Sequence, residues 1–566
     1  MKVTHIIKNN KKLSKECSGV ESFLISNEKG DYLWMNSEPQ SRYEGWFCSF
    51  EKLNNIYRII ENISIEGSSG VDEITNYINR VERKRGDLVE TFRLSHDSSV
   101  FDYQLNKKRK INIFFDVRES YSSEKYLDYE VESKKDIIFI SFNKKIFLAV
   151  KSEKGSVFKE KINRHYQYDQ DRNSFPFHRE VSYGLSLYGK RFTFSVAESK
   201  KKALEGVKKR VFSKLPLETT KQIDDVLAKE ALSSLLISIK KRKGLFAGLP
   251  WFFQFWPRDE AISLKAMSLL KKEESKEVFF RLLKTSFLKR PRGVVNIDAP
   301  GWLLKRADCF LPLLSSSEKE VVKRKGKLFI KKASERMVNG FFVNNSNETW
   351  MDSLERDGAR IEIQAMLLNG YRLLAELSKT KKEKDFYIKK EEEMKKRVRD
   401  VFFENSYLYD GYYPKTNFKD FTVRPNIFIA FYIYPELLSK EEWVVCFQKV
   451  LDCLWLSWGG LSTIDKNSSN FHWKHTGEDS RSYHQGDSWF FLNNLVAIVL
   501  YKTDKKRFKD YIEKIKEASK EELMWMGAVG CHGEVSSAEK LESRGCLNQA
   551  WSSAMYLELK QLTGDN

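Results

Sequence analysis

An aspartate and a tryptophan stand close together on a polar turn, at Asp352 and Trp350, shortly before an apolar run at residues 361–377. The run is apolar on nearly every face, which is typical of a helix that is buried on all sides. A carboxyl group can donate or accept a proton, and an indole offers a flat apolar face to a ring. The pair therefore predicts proton chemistry on a cyclic ligand at the start of a central helix.

The same arrangement recurs along the second half of the chain. Six loops precede charge-poor runs, and they lie at 249–259, 294–300, 347–353, 422–426, 483–489 and 530–546. Five of the six hold an Asp or Glu, and three hold a Trp, which together suit the hydroxyls and the apolar face of a sugar ring. Two carboxyl groups on opposite loops are what glycoside hydrolysis requires, one protonated and one ionised. A separation of about 6.5–9.5 Å between them leaves room for a water molecule and gives inversion.

These loops need a scaffold that brings them to one place. From about residue 219, twelve helical segments alternate between charged amphipathic ones, the first at 217–243, and charge-poor ones. The simplest geometry for this alternation is six buried helices inside six outer ones, an (α/α)6 barrel. Inner helices of such a double ring run parallel, so the six loops would share one end, where a rigid scaffold usually carries a site.

The first part of the chain has a different pattern. Residues 1–200 contain many short alternating runs separated by turn signals, which predict an antiparallel β-sandwich. The aromatic segment 41–50 is interpreted as core packing, with a groove shared with the helices as the alternative. We therefore expect three parts: a sandwich at 1–200, a lysine-rich helical linker at 201–218 and the barrel at 219–566.

Composition limits the possible partners. The chain has 566 residues, is 41% hydrophobic and 13% aromatic, and carries a formal net charge of +20. Its Lys and Arg are interleaved with Glu and Asp, which favours a solvated surface over a nucleic-acid interface. No apolar run is long enough to span a membrane. Nucleic acid and membrane are therefore not expected as partners.

Cysteine and histidine usage indicates the compartment and the metal content. Seven cysteines are scattered without a CxxC pair, and the first residues lack a secretory apolar core, so a cytoplasmic protein with free thiols is expected. His472, His475 and His532 do not share a zinc-binding spacing with these cysteines. We predict neither a metal nor a cofactor.

The loop motifs together resemble a known family. WPRD, TWMD followed by RDGARIEI, VRPN, YHQGDSW and GE…RGCLNQAWS are similar, in this order, to the amylo-α-1,6-glucosidase part of glycogen debranching enzymes. The similarity covers about residues 219–566, and the N-terminal part resembles the β-sandwich of the shorter prokaryotic members. The resemblance implies a glucoamylase-type inverting hydrolase that acts on an α-glucan such as glycogen, limit dextrin or a branched maltooligosaccharide.

The resemblance also implies roles for individual residues. Asp352 matches the general acid and Glu534 matches the general base that acts on water. Arg258 and Asp259 match the pair that binds hydroxyls of the terminal glucose. The remaining substrate-binding positions that it implies are Trp256, Asp298, Trp350, Arg424, Tyr483, His484, Gln485, Trp489, Gln549 and Trp551.

Two positions depart from the family pattern. Pro257 replaces a usual Gly, which stiffens the turn and removes a donor, and Ile427 stands where the family often has Gln. The alternative for Asp352 is an acid near a helix start, and Glu539 and Glu542 compete with Glu534.

The function expected is release of glucose from α-1,6 branch stubs. A glucoamylase- or trehalase-type exo-α-glucosidase of the same fold is the first alternative. A glycan-binding protein without activity is the second alternative.

Overall fold

The structure is a computed structural model that describes residues 1–7, 11–18, 22–52, 55–68, 70–124, 129–209, 211, 222–239, 242–285 and 296–564. Much of the expected linker at 201–218 and the first two residues of the loop 294–300 lie outside the described residues. The described chain forms a large sheet followed by a helical region.

Fifteen strands form one continuous sheet in the described part of the first 197 residues. They are β1 (Lys2–Ile7), β2 (Lys11–Glu16), β3 (Phe23–Ser26), β4 (Tyr32–Met35), β5 (Gly45–Phe50), β6 (Asn55–Ile65), β7 (Glu73–Asn76), β8 (Val81–Arg85), β9 (Leu88–Leu94), β10 (Val100–Glu119), β11 (Tyr129–Lys134), β12 (Ile137–Phe142), β13 (Ile146–Lys151), β14 (Lys154–His165) and β15 (His178–Ala197). In β9 buried and half-buried residues alternate along the whole strand, as expected where one face of a strand meets a core.

The long strands β10 and β15 belong to both halves of the sheet. Residues 101–105 of β10 pair with β9, whereas residues 111–119 pair with β6, and a register shift separates the two parts. The halves face each other, since Trp46 of β5 packs on Phe101 with 5.8 Å between ring centroids, and Phe115 packs on Phe142 of β12 at 5.5 Å. Such bends allow one sheet to form both layers of a sandwich.

The pairing is not purely antiparallel, which corrects the sequence expectation. β1 lies between β2 and β7, and it runs parallel to β7 with Lys2 opposite Glu73. Strands β3–β6 intervene between β2 and β7, and a long connection of this kind permits parallel neighbours.

Two short helices accompany the sheet: α1 (Gln167–Asp171) and α2 (Lys200–Gly206). Ala203 of α2 is buried together with Phe139 and Ala149 of the sheet. The start of the expected linker therefore packs on the sheet as part of it. The division at 201–218 stays a prediction.

Twelve helices follow in the described residues from 222 onward. They are α3 (Ile223–Ser233), α4 (Pro257–Leu270), α5 (Lys272–Thr285), α6 (Ala299–Phe310), α7 (Ser316–Ser334), α8 (Ile361–Glu376), α9 (Lys381–Phe402), α10 (Asn426–Ile433), α11 (Lys440–Leu454), α12 (Phe490–Asp504), α13 (Lys509–Trp525) and α14 (Ala550–Thr563). Short strand pairs connect them: Leu236–Ile239 with Arg242–Leu245, Gly248–Leu249 with Asn548–Gln549, Met337–Val338 with Phe341–Phe342, Ala359–Arg360 with Gly411–Tyr413 and Phe418–Asp420, Phe403–Glu404 with Tyr407–Leu408, Trp455–Leu456 with Gly460–Leu461, and Ser488–Trp489 with Val535–Ser536.

The first helical segment is shorter than the sequence pattern predicts. α3 ends at Ser233, and residues 236–239 pair antiparallel with residues 242–245, with Leu236 opposite Leu245. The prediction of one helix over 217–243 was therefore wrong in its second half. Isoleucines at 237 and 239 favour strand, and helix and strand are hard to distinguish in a short apolar run.

From α4 onward the helices alternate in burial along the chain, whereas α3, expected to have a wet face, is mostly buried. Nearly all residues of α8 are buried, whereas α9 buries only Tyr387, Met394, Val398 and Phe402. The outer helices α7 and α11 begin with capping boxes at Ser315 and Ser439. Inner helices α8, α12 and α14 instead begin at short strand pairs that place their leading loops.

The six charge-poor helices contact each other in a closed cycle. α4 contacts α6, the contacts continue through α8, α10 and α12, and α14 returns to α4. Buried Glu558 of α14 accepts a hydrogen bond from Lys265 of α4 at 2.7 Å and pairs with Arg306 of α6 at 3.3 Å. It also accepts a hydrogen bond from the Tyr432 hydroxyl of α10. One carboxylate thus ties α14 to three other helices of the ring.

Candidate active site

Asp352 lies on the loop that precedes α8. Its side chain is 44% exposed, although Trp350 beside it is only 2% exposed. The Trp350 indole donates to Asn426 Oδ1 at 2.7 Å, and it packs edge-on against the rings of His484 and Trp489. Trp350 therefore anchors the loop within the core, while the adjacent carboxyl group faces open space.

A buried polar network holds the segment after Asp352. Arg356 pairs with Glu362 and, through Nε, with Asp410 at 2.8 Å, and Asn426 donates to Asp410 at 2.7 Å. Burial raises the pKa of Asp410, but the guanidinium groups of Arg356 and Arg360 outweigh it and lower the pKa to about 2. This ionised network fixes the loop on α8 and α10.

Arg258, the second residue of α4, connects three loops. Its guanidinium donates to Asp298 at 2.8 Å, to Asn296 at 2.8 Å and to Asp352 at 3.3 Å. Asp298 is 1% exposed, so its place in the site is to hold Arg258. Asn296 was not foreseen from the sequence. Burial raises the pKa of Asp352, and the nearby Arg258 opposes that rise.

Asp259 is buried beside Arg258 and accepts a hydrogen bond from Gln549 at 3.2 Å. Burial raises the pKa of Asp259 to about 7, helped by the charges of Glu534 and Asp352 and opposed by the charge of Arg258. Asp259 therefore lies within electrostatic range of two carboxyl groups from distant parts of the chain, and we refer to the region around these three acids as the hollow.

Glu534 is 2% exposed and is held from two sides. Oε1 accepts a hydrogen bond from the Tyr483 hydroxyl, and Oε2 accepts one from the backbone N–H of Cys546 at 2.9 Å. Gly545 has φ +66°, and a side chain there would overlap the carboxylate. Burial raises the pKa of Glu534, and both hydrogen bonds oppose that rise because they favour the ionised form.

The two competing glutamates have other surroundings. Glu539 is exposed, and Glu542 pairs with Arg544 at 3.1 Å. Among these three glutamates, Glu534 alone bonds to Tyr483 of the neighbouring loop.

Several expected substrate-binding residues pack against each other around the hollow. The His484 ring stacks on Trp489 at 5.0 Å and bonds to Ser353 at 2.6 Å, and burial lowers the pKa of His484 well below its usual value. Arg424 donates to the carbonyl oxygen of His484 at 2.9 Å. Trp551 packs on Phe491, with 4.2 Å between ring centroids. These contacts fix the rings in place, while His484 Nε2 and Trp551 Nε1 are buried with no hydrogen-bond partner among the described residues.

Three other expected residues are less buried than these. The side chains of Trp256, Tyr483 and Gln485 are half-buried, and the Trp256 indole bonds to Gln254 at 3.3 Å. Pro257 is the first residue of α4, where a missing N–H costs nothing. Ile427 is 2% exposed inside α10.

A separate cavity of about 430 Å³ lies between the sheet and residues of the segment before α4. Tyr121, Phe253, Phe50 and Glu119 contribute to its lining, and none of the expected site residues does. In the described part of the chain, no group of three or more His, Cys, Asp or Glu is placed to bind a metal ion. None of the described helices has the length and hydropathy to cross a bilayer.

Tyr483→Phe tests the hydrogen bond on Glu534. Removing the donor destabilises the ionised carboxylate, so its pKa rises. If ionised Glu534 is required, the acidic limb of the kcat/KM–pH profile moves to higher pH by about 1 unit. Tyr77→Phe is the control, because it removes a 3.1 Å Tyr–Glu bond in the sheet. An unchanged acidic limb would argue against Glu534 as the group that titrates there.

The comparison with known structures first defines the class of fold. A bacterial glucoamylase complexed with acarbose matches with a TM-score of 0.65 and 8% identity over 96% of this chain and 94% of that chain. Two structures described as glycosidases, one in complex with glucose, each match at 10% identity with a TM-score of 0.46 over 60% of this chain and 97% of theirs. The glucoamylase match shows that the chain has a glucoamylase-like fold.

The sequence comparison then finds a family resemblance in part of the chain. The model of the amylo-alpha-1,6-glucosidase family matches residues 325–558, a range that includes Asp352 and Glu534. No curated protein sequence matches the chain significantly. This part of the helical region thus resembles the amylo-alpha-1,6-glucosidase family, within a chain of glucoamylase-like fold.

Proposed function

We propose that this protein is an inverting exo-α-glucosidase that releases glucose from α-1,6 branch stubs of a glycogen-like glucan. The observation that carries the proposal is the shared hollow of Asp352, Asp259 and Glu534. The first of these carboxyl groups is open and held by Arg258, whereas the last is buried and held by Tyr483. The hollow has one exposed acid, one enclosed carboxylate and donors between them, as hydrolysis with inversion requires.

The two acids have different tasks in this proposal. Asp352, whose pKa burial raises, holds a proton and gives it to the glycosidic oxygen as the bond to the anomeric carbon breaks. Glu534 takes a proton from the water that attacks that carbon from the opposite side. Hydrogen bonds from Tyr483 and Cys546 stabilise the ionised form that Glu534 needs as a base.

Binding of the terminal glucose falls to residues around these acids. Arg258 and Asp259 are next to each other at the start of α4, and Gln549 reaches Asp259 from the start of α14. We propose that they bind sugar hydroxyls while Trp256 covers one edge. The closed cycle of contacts among the six inner helices supports an (α/α)6 barrel as the scaffold.

A substrate panel with product analysis tests this function. We expect wild-type protein to release glucose from panose, isomaltose and limit dextrin, and ¹H NMR at early times should show β-glucose. Preferred release from maltose or from trehalose would indicate a glucoamylase-type or trehalase-type enzyme instead. α-Glucose as the first product would contradict inversion. Glucan binding without any turnover would indicate a glycan-binding protein.

A further inference from the structure

Two large aromatic side chains are exposed where the sheet meets the helical region. Phe175, between α1 and β15, is 73% exposed, and Trp473, in the loop before Tyr483, is 53% exposed. Single exposed apolar residues are common on protein surfaces and need no explanation. The case for these two therefore depends on their position.

The segments that carry the two rings are joined to each other. The Asn173 side chain donates to the carbonyl oxygen of Thr476 at 3.5 Å. The backbone N–H of Glu478 donates to the carbonyl oxygen of Arg172 at 2.7 Å. Gly477 has φ +69°, and a side chain there would overlap the backbone of Arg172. The sheet region and the loop are thus fitted together at the level of the backbone, with one exposed ring on each side.

This junction adjoins the hollow. The carbonyl oxygen of Trp473 accepts a hydrogen bond at 3.0 Å from Glu539, which lies five residues after Glu534. The backbone of His472 donates at 2.8 Å to Gln485, two residues after the tyrosine that bonds to Glu534. The exposed indole therefore belongs to a loop that contacts both segments next to the proposed base.

Arg172 extends the junction toward the hollow from the other side. Its guanidinium lies over the Trp251 indole, 3.7 Å from the ring centroid, and pairs with Glu478 at 3.5 Å. Its charge also opposes the rise of the pKa of Glu534 that burial causes. The sheet region thus contributes residues to the surroundings of the proposed base.

The loop that presents Trp473 is internally braced. His475 bonds to Asp487 at 2.7 Å, and the backbone of Thr476 donates to Ser482 at 2.9 Å. The Trp473 ring is packed edge-on by Phe471 at 4.8 Å, and Phe175 is packed by Phe177 at 4.0 Å. Rings supported in this way lose little conformational freedom when a ligand stacks on them.

We propose that Trp473 and Phe175 form a platform on which a glucan chain lies as it extends from the hollow. The proposal rests on the proposed function and names its substrate class as polymeric glucan. Each ring would cover the apolar face of a glucose unit on the leaving-group side of the cleaved bond. The platform is built jointly by the sheet region and the helical region, which gives the sheet a part in substrate selection.

Trp473→Ala and Phe175→Ala test the platform. We expect each variant to lower kcat/KM for limit dextrin by about tenfold and to weaken retardation in glycogen gels, because one stacking contact is lost. Glucose release from panose should stay unchanged, because the platform is proposed to bind the longer chain of a polymeric glucan and panose has only three glucose units. Phe386→Ala is the matched control, because Phe386 is 54% exposed but lies on the outer helix α9.

The outcomes separate the platform from the function. Wild-type rates on limit dextrin in both variants would overturn the platform and leave the proposed function standing. An equal loss on panose and limit dextrin would also overturn it, because the rings would then act on the hollow itself. If the wild-type protein released no glucose from either substrate, the proposed function would fall and this inference with it.

Discussion

Asp352→Asn is expected to lower kcat/KM for panose by about 10³-fold, equivalent to about 4 kcal/mol of transition-state stabilisation. The amide can accept the hydrogen bond from Arg258 but cannot donate a proton to the leaving oxygen. α-Glucosyl fluoride should be much less affected, because fluoride leaves without full protonation. The measurement is initial-rate kinetics on both substrates, with circular dichroism to show that the fold is intact.

Glu355→Gln is the matched control for this change. Glu355 is an exposed acid three residues further along the same loop, so its amide variant should behave as wild type. The assignment of Asp352 as the acid would be rejected if the panose and fluoride substrates lost activity equally. Equal loss would point instead to a role in binding or in loop position.

Glu534→Gln is expected to lower kcat by about 10³-fold on every substrate, because attacking water must lose a proton whatever the leaving group is. α-Glucosyl fluoride therefore distinguishes the two acids: it should rescue the Asp352 variant and fail to rescue this one. The measurement is the ratio of the two rates for each variant.

Glu534→Ala offers a second test of the same role. Azide is an anionic nucleophile that needs no base, and the shortened side chain leaves space for it. Added azide should restore turnover of α-glucosyl fluoride and give β-glucosyl azide, detectable by NMR. Glu539→Gln and Glu542→Gln serve as controls from the same loop. If one of them lost activity while the Glu534 variants kept it, that glutamate would be the base instead of Glu534.

The helices of the scaffold could be predicted from sequence because burial limits the number of charged residues in a helix. A helix enclosed on all sides, such as α8, cannot carry many charges, whereas α9 can carry them on its wet face. The alternation of the two kinds predicted six inner helices, and the contacts of the structure show these helices as a cycle. The failure at 236–245 came from a short run of isoleucines that suits either a strand or a helix.

The site was predicted less completely because a sequence does not show the direction in which each side chain points. Trp350 and His484 lie on the expected loops and Trp551 at the start of α14, but their side chains pack into the wall. Position along a loop does not reveal which way a side chain points. The partners of Arg356 could not be foreseen either, since Asp410 is 54 residues away and pairing of buried charges depends on the finished packing.

The seam of the ring, where α14 meets α4, has a consequence for biosynthesis. Lys265 and Glu558, which meet there, are 293 positions apart, and the short strand Gly248–Leu249 pairs with Asn548–Gln549. While the ribosome is still translating, the nascent chain can form the sheet and most helices but has no partner for the open flank of α4. That apolar flank stays unprotected until α14 emerges, so the cycle of helices closes only after residue 550 has been translated.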